Sequence, residues 1–165
     1  MRSRGFSLIE LLMIIGILSI LYAIGTLSFN AYQKRYRAEA QTRFLFSEIQ
    51  KARVDAICQR RGTRVKVYRD RFELYSTHLD DTSGVQPMQS YPLRFPVVWV
   101  PKNKYPYVIE FEPWGVLNAD ESSEGTICLE DCSGTGGVDS IKISSTRISI
   151  KKGDGDDCKS DITVN

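Results

Sequence analysis

The chain has 165 residues, 22 of them basic and 20 acidic, with four cysteines and one histidine. Once an apolar first segment is set aside, roughly 100 residues remain, which is enough for one modest core and excludes a second folded domain. Gly-x-Ser-x-Gly, a phosphate loop and a His-Glu-x-x-His pair are all missing, so the composition offers no catalytic constellation and the chain is read as a non-enzyme.

Phe6 to Phe29 is almost wholly apolar over 24 residues, with Glu10 as its only charge. As a helix it would be roughly 36 Å long, sufficient to span a bilayer. Met1-Arg2-Ser3-Arg4-Gly5 before it is short and positive. By the positive-inside rule it stays cytoplasmic and the C-terminal bulk lies outside. An ordinary secretory signal has a shorter apolar core, no acid within it and a small-x-small site at its end. Glu10 is expensive in this setting, since a carboxylate at a helix centre costs about 2.5 to 3.5 kcal/mol on insertion scales and somewhat less near the membrane edge. A cut after Gly5 would create an ammonium at Phe6, a few residues away, and the two charges would neutralise each other.

The run Gly5-Phe6-Ser7-Leu8-Ile9-Glu10-Leu11-Leu12 resembles the class III signal of type IV prepilins and pseudopilins. The resemblance covers about the first 30 residues. It implies that a prepilin peptidase cleaves after Gly5 and N-methylates Phe6, and that Glu10 is the carboxylate that registers an incoming subunit. With Arg2 and Arg4 removed the mature chain has 20 basic and 20 acidic residues. The implied location is the bacterial inner membrane, single-pass with the head in the periplasm, and then a filament.

Beyond Asn30 the helical spacing continues but becomes amphipathic, with Leu45, Ile49, Ala52 and Ala56 recurring at steps of three and four. Gly16 and Gly25 are weak points for the helix. Arg60, Arg61 and Gly62 predict its end near residue 61. Strand-like runs follow at Thr63–Arg69, Phe72–Tyr75, Leu93–Val100, Tyr107–Glu112, Thr126–Leu129, Ser140–Ser144 and Arg147–Lys151. Thr77 to Gln89, which contains His78, reads as a polar loop. Short adjacent strands favour antiparallel pairing, and the helical stripe supplies a face for a sheet to cover. The expected class is α+β, a long N-terminal helix packed on an antiparallel β-sheet head. Its parts are a leader (1–5), a transmembrane helix (6–29), an amphipathic helix (30–61), a β-rich head (62–152) and an acidic tail (153–165).

Ile109-Glu110-Phe111-Glu112-Pro113-Trp114-Gly115, then Gly125-Thr126-Ile127-Cys128-Leu129 and Ile141-Lys142-Ile143-Ser144-Ser145-Thr146-Arg147-Ile148, resemble the closing hairpins of the GspH/FimT group of minor pilins and H-type minor pseudopilins of type II secretion. Members commonly carry a glycine before that arginine, where this chain has Thr146. The resemblance implies a type IV pilin-like fold and a minor subunit that initiates, caps or modifies a type IV pilus or secretion pseudopilus alongside other pilins. Trp99 and Trp114 are expected in the core or packed on a sheet, and Gly115 in a tight turn that needs positive φ.

Four cysteines in an exported head point to disulfides in an oxidising compartment. Three connectivities are open. One closes a small loop between Cys128 and Cys132 and leaves Cys58 to hold Cys158. Cys-x-x-x-Cys with one histidine is a poor zinc set, and the acidic tail Gly153–Asp157 lacks EF-hand spacing, so no metal or cofactor is expected.

Charge is unevenly spread. Residues 34–64 carry nine basic side chains against three acidic, whereas Asn118–Asn165 carries ten acidic against five basic. A second functional reading is DNA binding for uptake, as in some FimT-type proteins, through Arg147, Lys151 and Lys152. Asp154, Asp156 and Asp157 beside them oppose it.

Overall fold

In the computed structural model the described residues are 7–77, 84–100, 105–118, 124–130, 137–152 and 158, excepting the helix side chains at positions 24, 26–28 and 31. A 52-residue helix, α1 (Leu8–Gln59), precedes eight strands: β1 (Thr63–Val67), β2 (Arg71–Tyr75), β3 (Gln89–Pro92), β4 (Val97–Val100), β5 (Tyr107–Phe111), β6 (Gly125–Leu129), β7 (Val138–Ile143) and β8 (Ile148–Lys152). The chain divides into two compact units, residues 1–36 and 37–165.

In the first unit α1 opens at Ser7, whose carbonyl accepts the N–H groups of Glu10 (3.1 Å) and Leu11 (3.2 Å). The helix continues through Gly16 and Gly25. Leu8, Ile9, Leu11, Leu12, Met13 and their successors to Tyr22 are exposed. The Ser19 hydroxyl donates to the Ile15 carbonyl at 2.7 Å, which satisfies a polar group within this apolar surface. Among the described residues no helix is long and apolar enough to cross a membrane. The apolar run Phe6–Phe29 includes Phe6 and the side chains at 24 and 26–28, which lie outside the described residues. The membrane anchor therefore rests on the sequence.

The second unit is built around one stripe of α1. Ala38, Thr42, Leu45, Ile49, Ala52 and Ala56 are all buried, at the three-and-four spacing that places them on a single helical face. The stripe extends the predicted one by about two turns at its N-terminal end, from Leu45 back to Ala38. Thr42 is tolerated there because its hydroxyl donates to the Ala38 carbonyl at 3.2 Å.

Two antiparallel four-stranded sheets cover the stripe, ordered β3-β2-β1-β5 and β4-β6-β7-β8. Val65, Val67, Phe72, Leu74, Ile109 and Phe111 from the first join Val97, Trp99, Ile127, Leu129, Ile141, Ile143 and Ile148 from the second in one cluster with the helix. Residues two apart along a strand share a face. The other face of the first sheet is accordingly polar, yet it is largely buried. Arg64 and Glu110, partners in register, form an ion pair at 3.4 Å, Lys66 lies over the Tyr75 ring, and Glu73 accepts hydrogen bonds from Arg71 and Tyr75.

Several contacts lock the two sheets together. Arg69 forks onto both Glu130 oxygens (2.7 and 2.8 Å), the Val97 N–H donates to the Arg69 carbonyl (3.0 Å), and the Trp99 and Tyr107 rings stack. A Cβ at Gly125 would collide with the Trp99 indole, so the close approach of that ring requires glycine. The link between the sheets is held on α1 by Gln41, whose carbonyl accepts from Arg94 N–H and Phe95 N–H while its amide donates to the Phe95 carbonyl (2.7 Å).

Four expectations change. The run Leu93–Val100 is a strand only from Val97, because Pro96 has no N–H to give a ladder and Leu93–Pro96 carries the chain from one sheet to the other. β3 was not expected. It is a four-residue polar edge strand with no apolar alternation, positioned by its pairing to β2 and by Tyr91 stacked on Phe72 (5.7 Å). Trp114 is 68% exposed rather than in the core, because it occupies a turn whose outward side faces solvent. Gly115 does have φ of +78°, but at the end of α1 the left-handed residue is Arg60, with φ of +48°, not a glycine. Arg61 N–H donates to the Ala56 carbonyl and Arg60 N–H to that of Ile57, both at 3.3 Å, a Schellman closure.

Arg60→Gly removes the steric cost of a side chain in the left-handed region and is expected to stabilise the head by about 1 kcal/mol, read as a raised unfolding midpoint; an unchanged or lowered midpoint contradicts this cap.

Glu124 fastens the turn between β7 and β8: its carboxylate accepts the Ser145 N–H (2.7 Å) and the Ser144 hydroxyl (2.9 Å), and these bonds hold its pKa below the ordinary value of 4.5. A lowered folded pKa gives stability that is present above the unfolded value and lost as pH falls through the folded one. The stabilisation of the parent over Glu124→Gln should be present at pH 7 and shrink below about pH 4.5, in thermal melts taken across that range.

Candidate functional site

The sequence-marked N-terminal residues fall at the first turn of α1. Gly5 and Phe6 lie outside the described residues, and Glu10 is exposed in the opening turn, three residues after Ser7. Unpaired N–H groups and the helix dipole favour a negative charge there. Ser7-x-x-Glu10 also has the spacing of a capping box, a signal that the sequence reading passed over. A carboxylate at Glu10 is therefore compatible with the helix that carries it.

The cysteines sort differently from the connectivity set out above. Cys128 in β6 is bonded to Cys158, with Cα atoms 6.0 Å apart, so neither Cys128–Cys132 nor Cys58–Cys158 forms. Cys58 is free and exposed. Successive helix residues are turned by about 100°, so a residue two past buried Ala56 points away from the core. Cys132 lies outside the described residues. The bond ties the tail at Cys158 to the central region of the second sheet, because β6 pairs with both β4 and β7.

The β7–β8 hairpin gathers the basic residues. Lys142 is paired in register with Ser149, and Ser140 with Lys151, so Lys142, Ser149 and Lys151 share one face. Together with Ser144, Thr146, Arg147 and Ile150 they line an open concavity of about 550 Å³. Lys142 was not singled out from the sequence, although its register opposite Ser149 brings it in. Lys152, which was, is exposed but does not line the concavity. Glu124 sits beside it, close enough to Lys142 to feel its charge. A basic surface of this kind attracts anions in a salt-dependent way. His78 and the acidic tail residues Asp154, Asp156 and Asp157 lie outside the described residues. Among the described residues no cluster could hold a metal ion.

The turn after β5 is anchored on α1. Glu112 N–H donates to the Val116 carbonyl (2.9 Å), Gly115 N–H to that of Glu112 (2.8 Å), and Arg53 Nε to that of Gly115 (2.7 Å). Gly115 has φ of +78°, which favours glycine, and a Cβ there would lie 2.6 Å from Ile57 Cδ1, so that side-chain end would have to shift.

The prokaryotic N-terminal methylation motif matches residues 1–25. No curated protein is similar in sequence. The fold is similar to that of the type IV minor pilin FimU of Pseudomonas aeruginosa PAO1 in two crystal forms. For the P21 form the TM-score is 0.56 at 18% identity, covering 73% of this chain and 92% of that one. For the P65 form it is 0.53 at 18% identity, covering 68% and 90%. At that identity the likeness establishes the type IV pilin fold alone. The chain thus carries the prokaryotic N-terminal methylation motif on its first 25 residues and, behind it, a head whose fold is that of a type IV pilin.

Proposed function

We propose that this chain is a minor subunit of a type IV pilus or a type II secretion pseudopilus, which starts, caps or adjusts the filament and performs no reaction itself. The observation that carries the reading is the methylation motif at residues 1–25, a stretch that includes Gly5, Phe6 and Glu10. The preference for a minor subunit draws on the likeness of the fold to FimU. Before assembly the apolar run Phe6–Phe29 holds the chain in the inner membrane with the head in the periplasm, where the Cys128–Cys158 bond is stable. A prepilin peptidase cuts after Gly5 and methylates Phe6. The new ammonium and Glu10 then neutralise each other within or between helices, which makes burial in the filament core tolerable. Partners are the peptidase, the assembly platform and neighbouring pilins.

Glu10→Val should leave membrane insertion and cleavage intact while reducing recovery of the chain in sheared filaments about tenfold or more, as expected when about 1.4 kcal/mol or more of pairing is removed. Recovery equal to the parent would remove Glu10 from assembly. Gly5→Val should instead stop the chain at the uncleaved stage.

A second reading, DNA binding, is favoured by the basic concavity lined by Lys142, Arg147 and Lys151. Neutralising the three together should weaken retention of the full chain on DNA at low salt and flatten its salt dependence. No retention by the parent chain at low salt would eliminate this reading.

A further inference from the structure

Trp114 is a large apolar side chain left 68% exposed on a turn that the structure holds firmly. The turn is closed by its own backbone hydrogen bonds, clamped by Arg53 through the Gly115 carbonyl, and seated on Ile57. The indole is therefore presented from a fixed base, which lowers the ordering cost of binding anything to it. It does not stand alone. With Gly62, Glu110, Phe111, Glu112, Pro113 and Asn118 it lines a cleft of about 200 Å³.

The chemistry of that cleft has one sign. It offers an aromatic ring and two carboxylate-bearing residues, and no lysine or arginine lines it. Glu110 is engaged with Arg64. Glu112 makes no ion pair among the described residues. An aromatic face next to a carboxylate suits a guanidinium or ammonium group, which gains from the ring quadrupole and the negative charge together.

We propose that the Trp114–Glu112 cleft is a docking site for a lysine or arginine side chain carried on the helix of the adjacent filament subunit. This rests on the filament reading above. Charge complementarity selects the occupant. The chain's own helix shows the chemistry that the cleft would meet on a pilin-like neighbour, since residues 34–59 of α1 carry six basic side chains against three acidic ones and Lys34, Arg43 and Lys51 are exposed. Contacts along a filament are heterologous, so one surface of each subunit meets a different surface of the next. A basic helical surface and an acidic aromatic cleft on the same chain are two halves of such a contact. The exposure of Trp114, unexplained by the core, then has a cause.

The test places the photo-cross-linker p-benzoylphenylalanine at Trp114 in the full chain, expressed with prepilin peptidase and the filament subunits of an assembling host. The adduct is mapped by mass spectrometry, and the N-terminus of the same material is sequenced. The proposal expects a mature N-terminus at Phe6 and an adduct on a lysine- or arginine-bearing helical segment of another subunit. Adding Glu112→Gln should lower its yield about twofold to fivefold, the range for a partly exposed charge pair. Mature chain that gives no inter-subunit adduct, an adduct on a segment without basic residues, or a yield indifferent to Glu112→Gln overturns the docking site and leaves the filament reading standing. An uncleaved chain overturns the filament reading and the docking site with it. Trp114→Phe, which keeps an aromatic face, should retain incorporation into filaments better than Trp114→Ala; equal incorporation of both counts against the site.

Discussion

The head depends on one contact, the burial of a single stripe of α1 by two sheets that could not otherwise hide their apolar faces. Leu45, Ile49 and Ala56 are fully buried in that stripe, and each fully buried leucine or isoleucine contributes about 1.5 to 3 kcal/mol. Small residues at Ala38, Ala52 and Ala56 flank the large pair Leu45 and Ile49, which lets strands approach the helix closely at either end of the stripe. Thr63 uses that closeness directly, since its hydroxyl donates to the Ala52 carbonyl at 2.9 Å and so fixes the start of β1 against the helix just after the chain has turned.

Once β1 is fixed, the remaining strands follow from it. β2 and β5 flank it in antiparallel register, and the Arg64–Glu110 pair matches register across β1 and β5. Such a buried pair adds little net stability, but a slip of one residue would strand both charges, so it penalises misregister. The second sheet is joined to the first by the Arg69–Glu130 fork, the Trp99–Tyr107 stack and the donation from Leu117 N–H to the Ser145 carbonyl (3.1 Å). The Cys128–Cys158 bond closes a separation of 30 residues, worth about 3 to 4 kcal/mol by loop-closure entropy, and it fixes Cys158 to the second sheet.

Much of this was legible in the sequence because periodicity is a direct record of burial. The stripe from Leu45 to Ala56 and the two-residue alternation of β1, β2 and β5–β8 could be read without a partner in view. What could not be read depends on tertiary placement. β3 has no apolar alternation and exists because β2 offers it an edge. Pro96 divides an apolar run that looked continuous. Arg60 takes a left-handed conformation usually given to glycine, because the backbone bonds of the Schellman closure hold it there. Cysteine pairing is a matter of which faces meet, so Cys58 could not be excluded until its helical face was known. Trp114 misled for a related reason: tryptophan is commonly packed, and only the turn's attachment through Gly115 and Arg53 reveals that its ring is left outside. At the functional residues the balance is reversed. The proposed N-terminal site of Gly5, Phe6 and Glu10 is read from local spacing alone, whereas the basic face of Lys142, Arg147 and Lys151 required the β7–β8 register.

The head folds around a stripe of its own helix, while the proposed chemistry of the N-terminus requires a cut. The basic helix, the acidic aromatic cleft and the exposed apolar surface of Leu8 to Tyr22 are all unfinished in a single chain, as expected of a subunit whose remaining partners are other subunits. The central claim is that the chain is processed between Gly5 and Phe6. The most direct measurement is N-terminal sequencing with intact mass of the full chain after co-expression with a prepilin peptidase. The account predicts a single mature species beginning at an N-methylated Phe6; a chain that keeps residues 1–5, or is cut elsewhere, would contradict it.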